Sequence, residues 1–263
     1  MPNPYRPDRY EITTIRRETA YDYTFRLAAS LAVQSGQFVE VSLPGVGEAP
    51  ISVSDFGADF IELTIRRVGC LTDALHALKP GDGLFLRGPY GNGFPVEEFG
   101  VRRLLVVTGG SGLAPVKSLL NRYWRTPGEV MQLTLAAGFK SPQDVLFQRD
   151  RERWAERFKV NITVDQACEG WSGRVGLVTA CVRDLDLEDP GDTRAVVVGP
   201  PLMMKFTLEE LERLGLAPAN IWVSLERRMS CGLGKCGHCK IGDAYVCTDG
   251  PVINHTRARR LLD

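Results

Sequence analysis

The pattern of the chain changes near residues 98–101, and this change constrains the fold more than any other feature. Before it, the stretches YEITTIRRE, YDYTFRLAA, GQFVEVSLP, PISVSD, DFIELTIRR and DGLFLRGP read as short β-rich segments punctuated by Gly, Pro and Asp. Regular short strands with turn signals predict an antiparallel barrel or sandwich. After it, RRLLVVTGG runs as one buried strand into glycines, and helix-like APVKSLLNRYWRT follows. Then come strand VMQLTLAAG, amphipathic QDVLFQRDRERWAERF, strands KVNITVD and TRAVVVGP, helix LMMKFTLEELERLG and strand NIWVSLE. Strands alternating with helices predict βαβ units on a parallel sheet. The expected architecture is α+β with two domains: an antiparallel β-barrel over residues 1–99 and a doubly wound parallel α/β domain over 100–225. A small cysteine-bearing C-terminal segment over 226–263 is expected as an appendix to them.

That segment holds SCGLGKCGHCKIGDAYVCTDG, with four of the seven cysteines. Cys231 and Cys236 enclose four residues, Cys236 and Cys239 enclose two, and Cys239 and Cys247 enclose seven. Structural zinc sites usually repeat a tight Cys-x2-Cys hook twice. Here one hook is preceded by a Cys-x4-Cys arm, the order of plant-type [2Fe–2S] ligands. The spacing favours [2Fe–2S] and leaves zinc as the alternative, with disulfides last. Cys70, Cys168 and Cys181 lie in no such pattern.

Lys plus Arg and Asp plus Glu are both 32, so no charge excess points to nucleic acid or an anionic membrane. The N-terminal residues contain no apolar h-region and no apolar run reaches membrane-spanning length, so neither a secretory signal nor a membrane span is expected. An odd cysteine count without an export signal fits a reducing cytoplasm. No Ser-His-Asp order, paired carboxylates or histidine pair suggests hydrolysis.

Four further stretches are candidate ligand sites. In VVTGGSGLAPVKSLL, Gly109, Gly110 and Gly112 end a buried strand, and Ala114 and Pro115 open a helix whose N-terminus can meet a pyrophosphate. The spacing differs from Gly-x-Gly-x-x-Gly, and a tight βα turn is the plain alternative. In VVVGPPLMMK, Gly199, Pro200 and Pro201 mark a second strand end on the edge where open α/β sheets bind ligands. In the first half, Pro50, Ile51 and Ser52 lie on one strand end, and Arg66 ends another before a turn with Gly69, Leu71 and Thr72. A polar barrel rim is the plain alternative there.

Together these stretches resemble the ferredoxin–NADP reductase superfamily: a flavin-binding barrel followed by a nicotinamide-binding domain, over nearly the whole chain. The cysteine segment narrows the resemblance to electron-transfer subunits of dihydroorotate dehydrogenase, of cytoplasmic hydrogenase (gamma) and of anaerobic sulfite reductase. GQFVEVSLPGVGEAPISVSDFG, LRGPYGNGFPV, VVVGPPLMMKFT and ERRMSCGLGKCGHCKIGDAYVCTDGPV are most similar to the anaerobic sulfite reductase branch. The resemblance implies FAD, a [2Fe–2S] cluster and NAD(P)H, with NADH favoured. It carries Pro50, Ile51 and Ser52 onto the flavin motif, with Ala49 where an arginine is expected and Arg66 supplying part of that charge. Ser52 is the implied catalytic contact near flavin N5. Thr64, Ile65, Arg66, Gly69, Leu71 and Thr72 match the second flavin segment, and Thr108 through Pro115 with Gly199, Pro200 and Pro201 match the nicotinamide segments. Cys231, Cys236, Cys239 and Cys247 match the cluster ligands. The implied function is NAD(P)H oxidation with electrons passed through FAD and the cluster to the catalytic iron–sulfur and sirohaem proteins of a cytoplasmic sulfite reductase hetero-oligomer. The alternatives are the hydrogenase gamma subunit, the dihydroorotate dehydrogenase electron-transfer subunit, a stand-alone reductase and, outside enzymes, a zinc-tailed binding module.

Overall fold

The computed structural model describes residues 3–262. The chain divides into two compact units, neither of them continuous in sequence. The first comprises residues up to Phe94 together with Ala114–Ser118 and Leu225–Val252, and the second comprises Pro95–Leu113, Leu119–Ser224 and the residues from Ile253 onward.

The first unit is built on a closed barrel of β1 (Asp8–Arg17), β2 (Asp22–Ala28), β3 (Phe38–Leu43), β4 (Gly47–Phe56), β5 (Phe60–Arg66) and β6 (Gly83–Tyr90), in the order β1-β2-β5-β4-β3-β6. Every ladder in it is antiparallel. The period-2 alternation sets which side chains fill it. Ile61, Leu63 and Ile65 of β5 enter the core with Phe25, Leu27, Val39, Val41, Val53, Leu84 and Leu86. Each such residue contributes about 1.5–3 kcal/mol on burial. Helix α1 (Cys70–His76) adds Leu75 to that core, and its His76 ring stacks on Tyr23 at 4.2 Å. This helix stands where the sequence predicts only a turn. It starts because Thr72 Oγ1 accepts the backbone N–H of Gly69 at 2.9 Å in a capping box.

The second unit begins with α2 (Val96–Phe99) and carries β7 (Arg103–Gly109), α3 (Leu113–Arg125), β8 (Gln132–Phe139), α4 (Gln148–Ala155), β9 (Lys159–Val164), β10 (Arg174–Val175), α5 (Val178–Arg183), β11 (Thr193–Val198), α6 (Pro201–Arg213) and β12 (Ile221–Ser224). Residues 114–118 of α3 count with the first unit. In the cysteine segment, β13 (Lys240–Ile241) and β14 (Ala244–Tyr245) form a hairpin that leads into α7 (Val246–Asp249). The chain then adds β15 (Val252–Asn254) and α8 (His255–Leu262). The large sheet runs β10-β9-β8-β7-β11-β12-β15. Its ladders from β10 through β12 are all parallel. The chain moves outward from β7 through β8, β9 and β10, then returns to β11 on the other side of β7. This reversal puts the topological switch point between the C-terminal ends of β7 and β11, where Gly109–Gly112 and Gly199 lie. Among the described residues no helix is long and apolar enough to cross a membrane.

Three expectations are corrected. The helix predicted over QDVLFQRDRERWAERF is confined to α4, because Val145 is extended and Phe147 is left-handed at φ 56°, with Leu146 and Phe147 buried. The short β10 and α5 between β9 and β11 were not foreseen, since a two-residue strand carries no periodicity. The residues from 226 onward are no simple appendix. They count with the first unit up to Val252, and those from Ile253 count with the second, where His255 Nε2 meets Glu212 Oε1 at 2.8 Å.

The switch point itself depends on one close approach. A Cβ on Gly112 would lie 2.5 Å from Val198 O and 3.0 Å from Gly199 Cα, both backbone atoms that cannot rotate away. Gly112→Ala is expected to destabilise the second unit by about 1–3 kcal/mol, lowering its thermal midpoint by several degrees. Gly100→Ala, whose new Cβ would meet nothing closer than 3.6 Å, is expected to leave the midpoint near wild type. Scanning calorimetry of the two variants checks this.

Candidate functional site

Because Ile61, Leu63 and Ile65 point inward, Glu62, Thr64 and Arg66 project from the outer face of β5. A run of hydroxyls crosses that face. Thr64 Oγ1 donates to Ser54 Oγ at 3.0 Å, Ser54 Oγ donates to the Glu62 carbonyl at 3.0 Å, and Thr24 Oγ1 lies 3.0 Å from Thr64 Oγ1. Ser52 lies on β4 two residues before Ser54, half-buried, and its hydroxyl has no hydrogen-bond partner among the described residues. Arg66 Nη1 donates to Asp22 Oδ2 at 3.1 Å, and Asp22 is buried. Lys117 Nζ donates to Glu62 Oε2 at 2.5 Å within the same unit. Burial raises the Glu62 carboxyl, and Lys117 with Arg16 and Arg26 outweighs it, so the group stays below its ordinary value.

Several candidates from the sequence are placed differently. The Ile65 side chain belongs to the barrel core, and Ile51 and Leu71 pack against that core, so only their backbones face outward. Thr72 Oγ1 accepts from Val68 N at 2.8 Å and Gly69 N at 2.9 Å and donates to the Gly69 carbonyl at 2.9 Å. Its hydroxyl builds the turn. Pro50 is half-buried on β4 beside Ala49, and Gly69 is exposed.

At the switch point, Thr108, next to last in β7, is fully buried with its hydroxyl unpartnered. A buried hydroxyl without a partner costs free energy, and here it lies where this fold class places ligands. Gly109 and Gly199 approach closely: a Cβ on Gly199 would lie 3.0 Å from Gly109 N. Gly110 has φ +54° and open space where a Cβ would stand. Ala114 and Pro115 are buried in the first turns of α3, while Pro200 and Pro201 are exposed at the start of α6. Among the glycines, Gly110 thus offers the open backbone, whereas Gly112 serves packing.

The cysteine segment folds within the first unit, pinned at its far end. Asn92 N donates to Gly250 O at 2.5 Å, Asn92 Nδ2 to Asp249 O at 2.9 Å, and Leu225 N to Pro251 O at 2.9 Å. Cys231, Cys239 and Cys247 are buried, and Cys236 is exposed. Gly232 and Gly234 take left-handed φ of +71° and +68°, which turns successive N–H groups toward sulfur. Leu233 N and Lys235 N lie 3.3 and 3.4 Å from Cys231 Sγ, and Gly234 N lies 3.2 Å from Cys247 Sγ. The Cys239 and Cys247 sulfurs are 3.3 Å apart. Burial raises the Cys231 thiol, and the backbone N–H groups of Leu233, Lys235 and Cys236 outweigh it. The N–H of His238 lowers the Cys236 thiol, and burial beside Cys239 pushes the Cys247 thiol up to about 12. Among the described residues no three Cys, His, Asp or Glu side chains converge as a single ion requires. Four cysteines in one loop, with backbone N–H groups turned toward two of the sulfurs, are the kind of donor set that iron–sulfur segments use.

Sequence reasoning missed the ion pairs beneath this loop. Arg87 of β6 is buried and donates Nε to Glu48 Oε2 at 2.9 Å, Nη2 to Glu48 Oε1 and to Ser230 O at 2.5 Å, and Nη1 to Cys231 O at 2.6 Å and Tyr90 Oη at 3.3 Å. Glu40 Oε1 lies 4.0 Å from Arg87 Nη2, and neither Glu40 oxygen has a hydrogen bond among the described residues. Burial pushes the Glu40 carboxyl up to about 7 despite Arg87. The available signal was Glu40 itself, a charged residue inside the apolar strand FVEVSL.

Comparison with known proteins agrees with this geometry. A family described as "Oxidoreductase NAD-binding domain" matches residues 106–209, and "Iron-sulfur cluster binding domain of dihydroorotate dehydrogenase B" matches residues 226–258. The chain is 37% identical to sulfhydrogenase 1 subunit gamma of Pyrococcus furiosus, covering 96% of this chain and 92% of that one. It is 34% identical to a probable dihydroorotate dehydrogenase B (NAD(+)) electron transfer subunit of Thermococcus kodakarensis, covering 96% and 100%. In three dimensions it matches an NADH-dependent reduced ferredoxin-NADP oxidoreductase with a TM-score of 0.79 at 25% identity, over 96% of this chain and 92% of the other. It shares the fold of a Neisseria gonorrhoeae ferredoxin NADP+ reductase, with a TM-score of 0.70 at 22% identity over 82% and 97%. Barrel, switch-point sheet and iron–sulfur segment define an NAD(P)H-dependent flavin/iron–sulfur oxidoreductase subunit of the ferredoxin-reductase-like superfamily. Within that class the chain belongs to the family of electron-transfer subunits that includes the sulfhydrogenase gamma and dihydroorotate dehydrogenase B proteins.

The four cysteines give a direct test. Anaerobically prepared protein is expected to hold two irons and two acid-labile sulfides per chain, as a [2Fe–2S] centre requires. Cys239→Ser is expected to lose most of that iron while flavin and secondary structure persist. Stoichiometric zinc without iron in the wild type contradicts the assignment.

Proposed function

We propose that this chain is the electron-input subunit of a hydrogenase-type complex, oxidising NAD(P)H and passing single electrons through FAD and a [2Fe–2S] centre to a partner protein. The observation that carries the reading is the 37% identity to a sulfhydrogenase gamma subunit across nearly the whole of both chains. A second P. furiosus protein, sulfhydrogenase 2 subunit gamma, matches at the same identity over 96% of each chain. This likeness favours a hydrogenase-type partner over the sulfite reductase partner that the sequence motifs suggest. The dihydroorotate dehydrogenase B reading stands second, supported by the match of residues 226–258 to that family's cluster-binding domain.

The proposed roles follow from chemistry already described. NAD(P)H surrenders a hydride, two electrons at once, whereas an iron–sulfur centre exchanges one; bound FAD supplies the conversion between the two. On the outer barrel face, Ser52 offers its unpartnered hydroxyl to the flavin ring. Arg66, two-thirds shielded and anchored by Asp22, offers its remaining N–H groups to the FAD phosphates. Gly110 brings bare backbone, and Thr108 an unpartnered hydroxyl, to the nicotinamide nucleotide. Cys231, Cys236, Cys239 and Cys247 hold the cluster. Of the four only Cys236 is exposed, which gives electrons a way out to another protein.

Arg66→Ala removes a charged phosphate contact of about 1.5–3 kcal/mol, roughly a ten- to hundredfold loss of flavin affinity. Arg66→Lys, which can still pair with Asp22, is expected to retain more flavin; equal flavin content in all three proteins refutes the role. Gly110→Val is expected to slow flavin reduction by NAD(P)H in stopped flow with flavin and iron unchanged, and an unaltered rate contradicts that contact.

Isolated protein is expected to reduce artificial dyes with NAD(P)H while producing neither hydrogen nor sulfide. Adding hydrogenase catalytic subunits is expected to couple NAD(P)H oxidation to hydrogen chemistry. Coupling to sulfite reductase proteins instead, with sulfide formed, overturns the choice of partner, and coupling to a dihydroorotate dehydrogenase selects the second reading.

A further inference from the structure

The guanidinium of Arg87 occupies a place that the proposed cofactor contacts do not account for. It has five N–H donors. All five are engaged: three by Glu48 and Tyr90, and two by the carbonyls of Ser230 and Cys231. None remains for a phosphate or a substrate, although Arg87 and Pro50 pair with the same residue of β3, Glu40, one position from Ala49, where the flavin motif lacks its cation. Glu48 pairs with Ser42 across the β3–β4 ladder, so the guanidinium crosses β3 to reach its carboxylate.

Its two sets of partners belong to different redox segments. Glu48 immediately precedes Ala49, Pro50, Ile51 and Ser52, the candidate flavin segment. Ser230 and Cys231 open the candidate cluster segment, and Cys231 is the first proposed ligand. One buried side chain therefore joins both, entirely within the first unit. The fork geometry matters, because a lysine offers a point charge and cannot reach a carboxylate and two carbonyls along separate fixed directions. Tyr90 backs the same junction. Its hydroxyl accepts from Arg87 Nη1 and donates to Pro4 O at 3.1 Å, and its ring leaves only 2.9 Å to a Cβ placed on Gly232.

We propose that Arg87 is a positioning residue for electron transfer. It fixes the backbone of the first cluster ligand to the strand bearing the flavin motif, and its positive charge beside Cys231 raises the reduction potential of the cluster. The proposal rests on the reading of the cysteine segment as an iron–sulfur site. Net charge and hydrogen bonding near the ligands are recognised levers on such potentials.

The test uses the full chain, purified anaerobically, with Arg87→Gln, Arg87→Lys and Glu48→Gln beside the wild type. Three quantities are read: cluster midpoint potential by EPR-monitored redox titration, iron and flavin content, and the rate of tryptic cleavage after the exposed Arg227 and Arg228. Arg87→Gln is expected to lower the potential by about 59 mV, a tenfold change in a one-electron equilibrium, and to speed cleavage severalfold while flavin stays bound. Arg87→Lys is expected to restore most of the potential but not the resistance to cleavage, since it keeps the charge and loses the fork. Glu48→Gln keeps Arg87 and removes a negative charge, so the potential is expected to move the opposite way, upward. Should Arg87→Gln lose its cluster altogether while Arg87→Lys keeps it, that rescue supports the proposal, and the potential is read in Glu48→Gln. Wild-type potentials in Arg87→Gln and Glu48→Gln overturn the electrostatic role, and wild-type cleavage in Arg87→Gln overturns the tether. Absence of iron from the wild type instead sinks the iron–sulfur reading itself, so the two failures are distinct.

Discussion

In a closed six-stranded barrel every second side chain must point inward, and this constraint governs the first unit. The register that sends Ile61, Leu63 and Ile65 into the core leaves Glu62, Thr64 and Arg66 outside. A slip of one residue would exchange the two sets, burying a carboxylate and an arginine in an apolar interior. Core and candidate flavin face are thus one decision made twice along the same strand. The hydroxyl run through Ser54, Thr64 and Thr24 reinforces that register, since its members come from three different strands.

Buried charge is the second organising element. Arg87 is buried with Glu40 behind it and Glu48 beside it, and Lys117 is buried against Glu62 with Asp55 at 3.9 Å. Taking an ion out of water costs several kcal/mol unless each donor and lone pair finds a partner. Arg87 meets that condition fully; Glu40 does not, and its raised pKa is the consequence. Such groups are weak sources of stability but strong sources of geometry, because the neighbouring backbone must present its carbonyls where the guanidinium needs them. The loop that opens at Ser230 is held in this way from the barrel side. At its far end Asn92 bonds Asp249 and Gly250.

Much of this was legible from the chain. The six barrel strands read from alternation and punctuation, and their observed bounds differ from the predicted stretches by a few residues. The glycine-ended strand LLVVTGG marked the switch point, and the Cys-x4-Cys-x2-Cys spacing marked the thiol loop. The partner was not legible, because the tail motifs resemble those of several electron-transfer subunits and local motifs do not encode a partner. Other features were hidden for identifiable reasons. Thr72 looks the same in sequence whether its hydroxyl meets phosphate or caps a helix, and Gly112 looks the same whether it admits a ligand or a neighbouring strand. Phe147 delays the start of the predicted helix through a left-handed backbone that no periodicity announces.

The sequence by itself determined the two kinds of periodicity, the strand-end glycines and the supply of four thiols in one segment, because these depend on residue type and spacing along a local backbone. Only the tertiary structure decided that the Cys239 and Cys247 sulfurs stand together, that Arg87 spans from Glu48 to Ser230 and Cys231, and that the tail divides between the two units. The reason is physical. Arg87 and Cys231 are 144 residues apart, and a contact between them has no local signature: it exists only once barrel closure brings β6 to the loop and burial makes an unmet donor costly.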